Sequence, residues 1–120
     1  MPKHTISASS GTNDAPGHAA GLCPLKNFSD SYTGFVLNAM DVYNRPKLPV
    51  FVAQGPMNCG EDLRMALSQS ILDIRKAGGS AHFLDLCGPL CDGCGGHPGQ
   101  KAHADMAAIA IPQIAKVMGW

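Results

Sequence analysis

A short, continuously apolar run near the middle of the chain does most to limit the fold. Residues 49–54 have the sequence PVFVAQ, and the chain breakers Asn44-Arg45-Pro46 and Gly55-Pro56 stand before and after them. A run of this length without polar alternation is typical of a strand that is buried on both faces, which occurs mainly in parallel sheets covered by helices. The sequence therefore predicts an α/β protein with a parallel sheet at its centre.

Helical patterns flank this run on both sides. After it, apolar residues recur at helical spacing between Glu61-Asp62 and the terminating pair Gly78-Gly79. The members of this apolar face are Leu63, Leu67, Ile71 and Ile74. Before the run, Ser29-Asp30 is a candidate N-cap for another helix. The apolar stripe of that helix consists of Tyr32, Phe35, Val36, Ala39, Met40 and Tyr43, and we interpret both stripes as core.

Two further strands and a last helix complete the predicted order. Residues 4–8 and 81–86 are short strand candidates, and residues 102–118 form the last helix. The resulting alternation of strands and helices implies parallel strands joined by right-handed crossovers, with helices on both faces of the sheet. With 120 residues the chain is predicted to be one domain, residues 1–120. Functional residues are expected at the carboxyl ends of the strands.

Composition excludes several classes of partner at this stage. Nine Lys and Arg residues balance nine Asp and Glu residues, so the chain lacks the basic excess of proteins that bind nucleic acid or anionic membranes. No apolar run approaches the roughly 20 residues that span a bilayer. We therefore expect neither nucleic acid nor membrane as a partner. The sequence carries no recognisable signal peptide and predicts no particular compartment.

Three motifs stand at the predicted strand ends. They are Gly11-Thr12-Asn13-Asp14, Gly55-Pro56-Met57, and Cys94-Gly95-Gly96-His97-Pro98 followed by His103 and Met106-Ala107. In this order they resemble the SGNH (GDSL-type) hydrolases. The Gly-Thr-Asn-Asp segment matches the third block of that family, and His-Pro matches its fifth. The carbohydrate esterase family two branch is the most similar, because its Gly-Pro-Met turn and its C-x-x-H-P-x-x-x-x-H-x-x-M-A pattern both occur here.

The resemblance implies a fold, an activity and two site residues. The fold is a three-layer, flavodoxin-like α/β sandwich around a parallel sheet. The activity is hydrolysis of a carboxylic ester, with deacetylation of a carbohydrate as the expected reaction, and it uses no cofactor. His97 is then the general base, a role that suits an imidazole titrating near neutral pH. Asn13 is the donor that stabilises the oxyanion of the tetrahedral intermediate.

The chain departs from the family pattern in two places. Many SGNH enzymes place an aspartate three residues before the histidine, where this chain has Cys94. Asp92 is the nearby carboxylate and is a candidate for orienting the ring, with a backbone carbonyl as the other option, and His103 is interpreted as a wall of the site. The Gly-Asp-Ser block with the nucleophile has no counterpart before Gly11. We therefore expect the last three strands and helices of a hydrolase domain, inactive alone, whose serine lies in an upstream segment.

The cysteines leave other interpretations open. Cys87, Cys91, Cys94 and His97 have the spacing C-x-x-x-C-x-x-C-x-x-H, which would suit a tetrahedral zinc site. Alternatively, two of the cysteines form a disulfide near His97, with Cys59 as a further candidate partner, or all are ordinary thiols. A small zinc-binding module and an inactive hydrolase remnant with an interaction role are thus the rival functions.

Overall fold

The protein is described by a computed structural model for residues 6–9 and 24–120. In chain order its elements are β1 (Ile6–Ser9), α1 (Leu25–Val42), β2 (Pro49–Gln54), α2 (Glu61–Lys76), β3 (Ser80–Asp85), a 3₁₀ turn (Cys94–Gly96) and α3 (Gln100–Met118). The three strands form one parallel sheet in the order β1-β2-β3. The prediction of a mixed α/β protein with parallel strands is confirmed.

The register of the sheet places the three strand ends at one edge. Ser9 pairs with Ala53, and Gln54 pairs with Asp85. Parallel strands have their carboxyl ends on the same side, so Ser9, Gln54 and Asp85, the last residues of the three strands, all lie at this edge. The central strand β2 has the predicted bounds, and its residues from Val50 onward are buried.

Helices cover both faces of the sheet. Side chains alternate along β2, so Val50 and Val52 face α1 and α2, whereas Phe51 and Ala53 face α3. The larger cluster combines one face of the sheet with the apolar stripes of α1 and α2. The smaller cluster joins the other face to Ala110, Ile114 and Met118 of α3. No helix within residues 24–120 is long and apolar enough to cross a membrane.

Helix α2 follows the sequence prediction closely. Its four predicted face residues are all buried, as part of the larger cluster. Glu61 and Asp62 lie in the first turn and Arg75 and Lys76 in the last, where their charges oppose the partial charges of the helix ends. A strongly periodic apolar face with charge-matched ends therefore suffices to locate this element.

Helix α1 begins earlier than predicted. Its first residue is Leu25, so Ser29 is an interior residue and not the N-cap. The Ser29 side chain is buried, and its Oγ lies 3.0 Å from Oγ of Ser70 on α2. The predicted cap is wrong because Ser29 forms this hydrogen bond across the helix interface instead of binding the amides of a helix end.

The buried face of α1 is also narrower than the predicted stripe. Tyr32, Val36 and Met40 are buried, but Phe35 and Tyr43 are 63% and 66% exposed. Residues four apart keep to one side of a helix, and this row lies in the core cluster that α1 shares with α2 and the sheet. Phe35 and Tyr43 are therefore surface residues, contrary to the prediction.

His82 on β3 gives the fold a pH dependence. Its ring lies 5.5 Å from the Phe51 ring, and its Nε2 is 3.1 Å from Oγ of Ser80. Partial burial lowers the pKa of His82 from its ordinary 6.5, and the charge of Arg75 lowers this pKa further. The unfolded chain then takes up the proton at a higher pH than the folded chain. This contribution to stability is complete above the ordinary pKa and is lost as the pH falls towards the lower folded-state pKa.

We therefore expect wild-type protein to lose more stability than His82→Gln between about pH 7.5 and about pH 5. Urea unfolding at a series of pH values measures the difference between the two proteins. A wild-type-minus-variant difference that stays constant across this range would contradict the assignment.

Candidate functional site

A groove of about 550 Å³ opens where β2 and β3 end. One wall is the turn Gly55-Pro56-Met57, Leu84 and Leu86 of the third strand region form the floor, and His97-Pro98 stands on the rim. The second wall is a face of α3 that carries His103, Met106, Ala107, Ala110 and Ile114. Two of the three motifs singled out in the sequence, the Gly-Pro-Met turn and the His-Pro segment with its downstream residues, thus line the same cavity.

The Gly55 turn is held against the end of β3. The amide of Leu86 donates a hydrogen bond of 2.9 Å to the carbonyl oxygen of Gln54. Gly55 has a φ of +108°, and a Cβ atom at this position would lie 2.8 Å from the backbone of Leu86 and Cys87. Glycine is required here both by the left-handed backbone and by the close approach of the two segments.

Alanine at Gly55 is expected to lower the free energy of unfolding by about 2–5 kcal/mol, from backbone strain and the collision together. Gly78 provides a matched control because its φ is +90° and no atom lies within 4 Å of the position that an alanine methyl group would take. Gly78→Ala therefore adds the strain alone, about 1–2 kcal/mol. Chemical unfolding of both variants tests this, and equal losses would show that the contact with Leu86 and Cys87 contributes nothing.

A disulfide joins the same two segments. Cys59, shortly after the Gly55 turn, is bonded to Cys87, shortly after β3. Cys59, the further candidate partner, is thus bonded to Cys87, one of the loop cysteines. In this structure Cys87 therefore has no free thiolate to offer to the zinc site of Cys87, Cys91, Cys94 and His97. Within residues 24–120 no three His, Cys, Asp or Glu side chains are grouped to hold a metal ion.

An ion pair fixes the end of β3 from the side of α2. Oδ2 of Asp85 lies 2.8 Å from Nη2 of Arg64, and Oδ1 accepts the amide of Cys87 at 3.0 Å. The Arg64 guanidinium also lies over the Phe83 ring, 5.1 Å from its centroid. Partial burial acts to raise the pKa of Asp85, but the Arg64 and Cys87 hydrogen bonds and the Arg64 charge outweigh it and hold this pKa below its usual value.

Hydrogen bonds between its own backbone groups hold the loop that carries His97. The amide of Gly93 donates to the carbonyl oxygen of His97 at 2.8 Å, and the amide of His97 donates to Cys94 at 3.3 Å. A Cβ atom at Gly93 would lie 2.7 Å from the His97 carbonyl oxygen, so the loop crosses itself closely there. These bonds leave the imidazole exposed on the rim of the groove.

The structure gives Asp92 a different role from the one predicted. Its Oδ1 accepts the amide of Gly99 at 3.1 Å, where α3 begins. The part of the chain that the structure describes contributes no hydrogen bond to the His97 imidazole. Asp92 thus holds the loop to the start of α3, and the ring-orienting role has no support from its contacts.

Two predicted site residues remain, His103 and Asn13, and of these the structure describes only His103. His103 lines the groove, as predicted for a wall residue. Asn13, the predicted oxyanion donor, lies outside the described residues. The described strand before it, β1, ends at Ser9 on the same edge of the sheet as the Gly55 turn.

Comparisons with protein-family models, with curated proteins and with solved structures gave no match. The resemblance to SGNH hydrolases therefore depends on the motif residues and on where they lie in the fold.

Proposed function

We propose that this chain is the carboxyl-terminal part of an SGNH-type ester hydrolase. The observation that supports this most is the shared groove, which is lined both by the Gly55-Pro56-Met57 turn and by His97-Pro98, His103 and Met106. These segments are far apart in the sequence and are the ones on which the resemblance rests. If the motif residues shared no function, we would not expect the fold to bring them together at one cavity.

The topology is compatible with this proposal. Three parallel strands in sequential order, with α1 and α2 on one face and α3 on the other, match the last strands of a three-layer, flavodoxin-like sheet. In the proposed complete domain the earlier strands pair beside β1. The Gly-Asp-Ser block then joins the carboxyl edge, where ligands bind in such sheets.

The proposed chemistry divides the work between this chain and the upstream serine. The His97 imidazole takes the serine proton during attack on the ester carbonyl and returns it to the leaving alcohol. The Asn13 amide donates to the oxyanion that forms on the carbonyl oxygen. Because Asp92 binds the Gly99 amide and no described residue forms a hydrogen bond with the His97 ring, the proposal assigns orientation of this ring to a backbone carbonyl of the upstream part of the complete domain. A carboxylic ester is the substrate, acetylated carbohydrates are the class that the resemblance implies, and the hydrolysis itself uses no cofactor.

The test is to extend the chain upstream by a segment that contains a strand and a Gly-Asp-Ser block. We call the lengthened chain the extended protein. The extended protein is expected to hydrolyse small carboxylic esters, and the 120-residue chain is not. A Gly-Asp-Ala version of the same segment is the matched control, since it keeps the fold and removes only the nucleophile. A folded extended protein without activity would contradict the proposal and favour an inactive remnant.

A further inference from the structure

The lining of the groove has a uniform chemistry that the proposed function does not require. Among the described residues that line it, the side chains other than the imidazoles of His97 and His103 are aliphatic, thioether, proline or glycine groups. None of these described side chains has a carboxylate, ammonium, guanidinium, amide, hydroxyl or phenyl group. Among these described side chains, only the two imidazoles could replace the hydrogen bonds that sugar hydroxyls lose on leaving water.

The polar and apolar groups are also separated along the groove. The lining positions of α3 are 103, 106, 107, 110 and 114, which form one stripe along the helix. At about 1.5 Å per residue the stripe runs for about 16 Å, from the imidazole end to the end at Ile114. At that far end Ala110 and Ile114 pack against the apolar cluster of Phe51, Ala53 and Leu84.

We infer that this groove binds the acyl chain of the ester, and that the preferred acyl group is an unbranched aliphatic chain longer than acetyl. This inference rests on the proposed function. It replaces the acetyl group that the resemblance implies with a longer acyl chain. The carbonyl lies at the end with His97 and His103, and the chain extends along α3 towards Ile114. An acetyl group would contact only the first turn of this stripe and leave the rest of the apolar wall in water.

Binding of simple carboxylates to the 120-residue chain tests the inference without any catalysis. We would titrate acetate, butyrate, hexanoate and octanoate while following the NMR signals of the His97 and His103 rings and of the Met57 and Met106 methyl groups. Each buried methylene is expected to tighten binding about fourfold. Affinity that does not depend on chain length, or an acetylated monosaccharide that binds more tightly than hexanoate, would overturn the inference.

Two neighbouring alanines on α3 provide a matched pair of variants. Both are exposed, but Ala107 lines the groove and Ala108 does not. Ala107→Phe fills the groove and is expected to weaken octanoate binding at least tenfold, with acetate changed much less. Ala108→Phe adds the same ring outside the groove and is expected to leave octanoate binding unchanged. An equal loss in both variants would overturn the inference.

The extended protein separates failure of this inference from failure of the proposed function. Hydrolysis that is fastest for acetyl esters and slows with chain length would overturn the acyl-chain inference and leave the hydrolase proposal standing. Chain-length-dependent binding of carboxylates in a folded extended protein that hydrolyses no ester would support the groove as an acyl site and contradict the hydrolase proposal.

Discussion

Replacing His97 by alanine in the extended protein is expected to lower kcat/KM for ester hydrolysis by about three orders of magnitude or more. A serine hydroxyl is a weak nucleophile unless a neighbouring base takes its proton, and loss of that base typically costs about 10²–10⁴ in rate before effects on the serine itself are counted. His97 is the imidazole on the rim of the groove, on a loop whose backbone bonds leave its ring exposed. Steady-state kinetics with a small activated ester would measure the loss.

His103 is the control for this experiment because it is the second imidazole that lines the groove. As a wall residue, its replacement by alanine is expected to change kcat/KM by less than about tenfold, mostly through KM, since a wall contact stabilises the bound substrate and the transition state equally. If His103→Ala abolished activity and His97→Ala did not, the assignment of the base would be wrong. Similar, modest losses in both variants would mean that neither ring acts as the base.

Removal of the Cys59–Cys87 disulfide is expected to have a large effect on stability. The bond closes a loop with a sequence separation of 28 residues. The chain-entropy relation gives about 3.5 kcal/mol for a loop of this length, so Cys59→Ser with Cys87→Ser should lower the free energy of unfolding by roughly that amount. The Gln54 side chain, whose Nε2 donates to the Gly60 carbonyl at 2.9 Å, still holds the loop locally in this variant.

The free cysteines supply the control for the disulfide. Cys91 is half-buried and Cys94 is exposed, and neither is bonded in the structure. Replacing both by serine is expected to change stability by less than about 0.5 kcal/mol, as for most surface substitutions. A reducing agent should destabilise wild-type protein and the Cys91/Cys94 variant but not the Cys59/Cys87 variant. No effect of the reducing agent on wild-type protein would contradict the assigned pairing.

The sequence predicted those elements whose signals are local and strong. The strand β2 has a continuous apolar run between breakers, and α2 has a complete apolar face with charge-matched ends. The start of α1 could not be predicted in this way. Ser29 is a typical cap residue by its local sequence, and its actual partner, Ser70, is 41 residues away. Tertiary contacts of that range have no signature in the neighbouring residues.

The candidate site was predictable to the extent that it depends on strand order. Parallel strands bring their carboxyl ends to one edge, so the Gly55 turn and His97 were expected near each other. The hydrogen bond of Asp92 to Gly99 and the pairing of Cys59 with Cys87 depend on loop conformation, which the spacing of the residues does not determine. The Arg64–Asp85 ion pair joins residues that are 21 positions apart and lie on different elements. In the sequence, the only indication of this pair is the acidic residue Asp85 at the end of a strand.

The two walls of the groove differ in how firmly they are attached to the sheet. The Gly55 turn is fixed by a covalent bond between Cys59 and Cys87 and by backbone packing that admits no side chain. Helix α3 has one buried residue, Ala102, and otherwise rests on the sheet through half-buried side chains. A ligand too wide for the groove would therefore have to displace α3, because the Gly55 turn is covalently tied to the segment after β3.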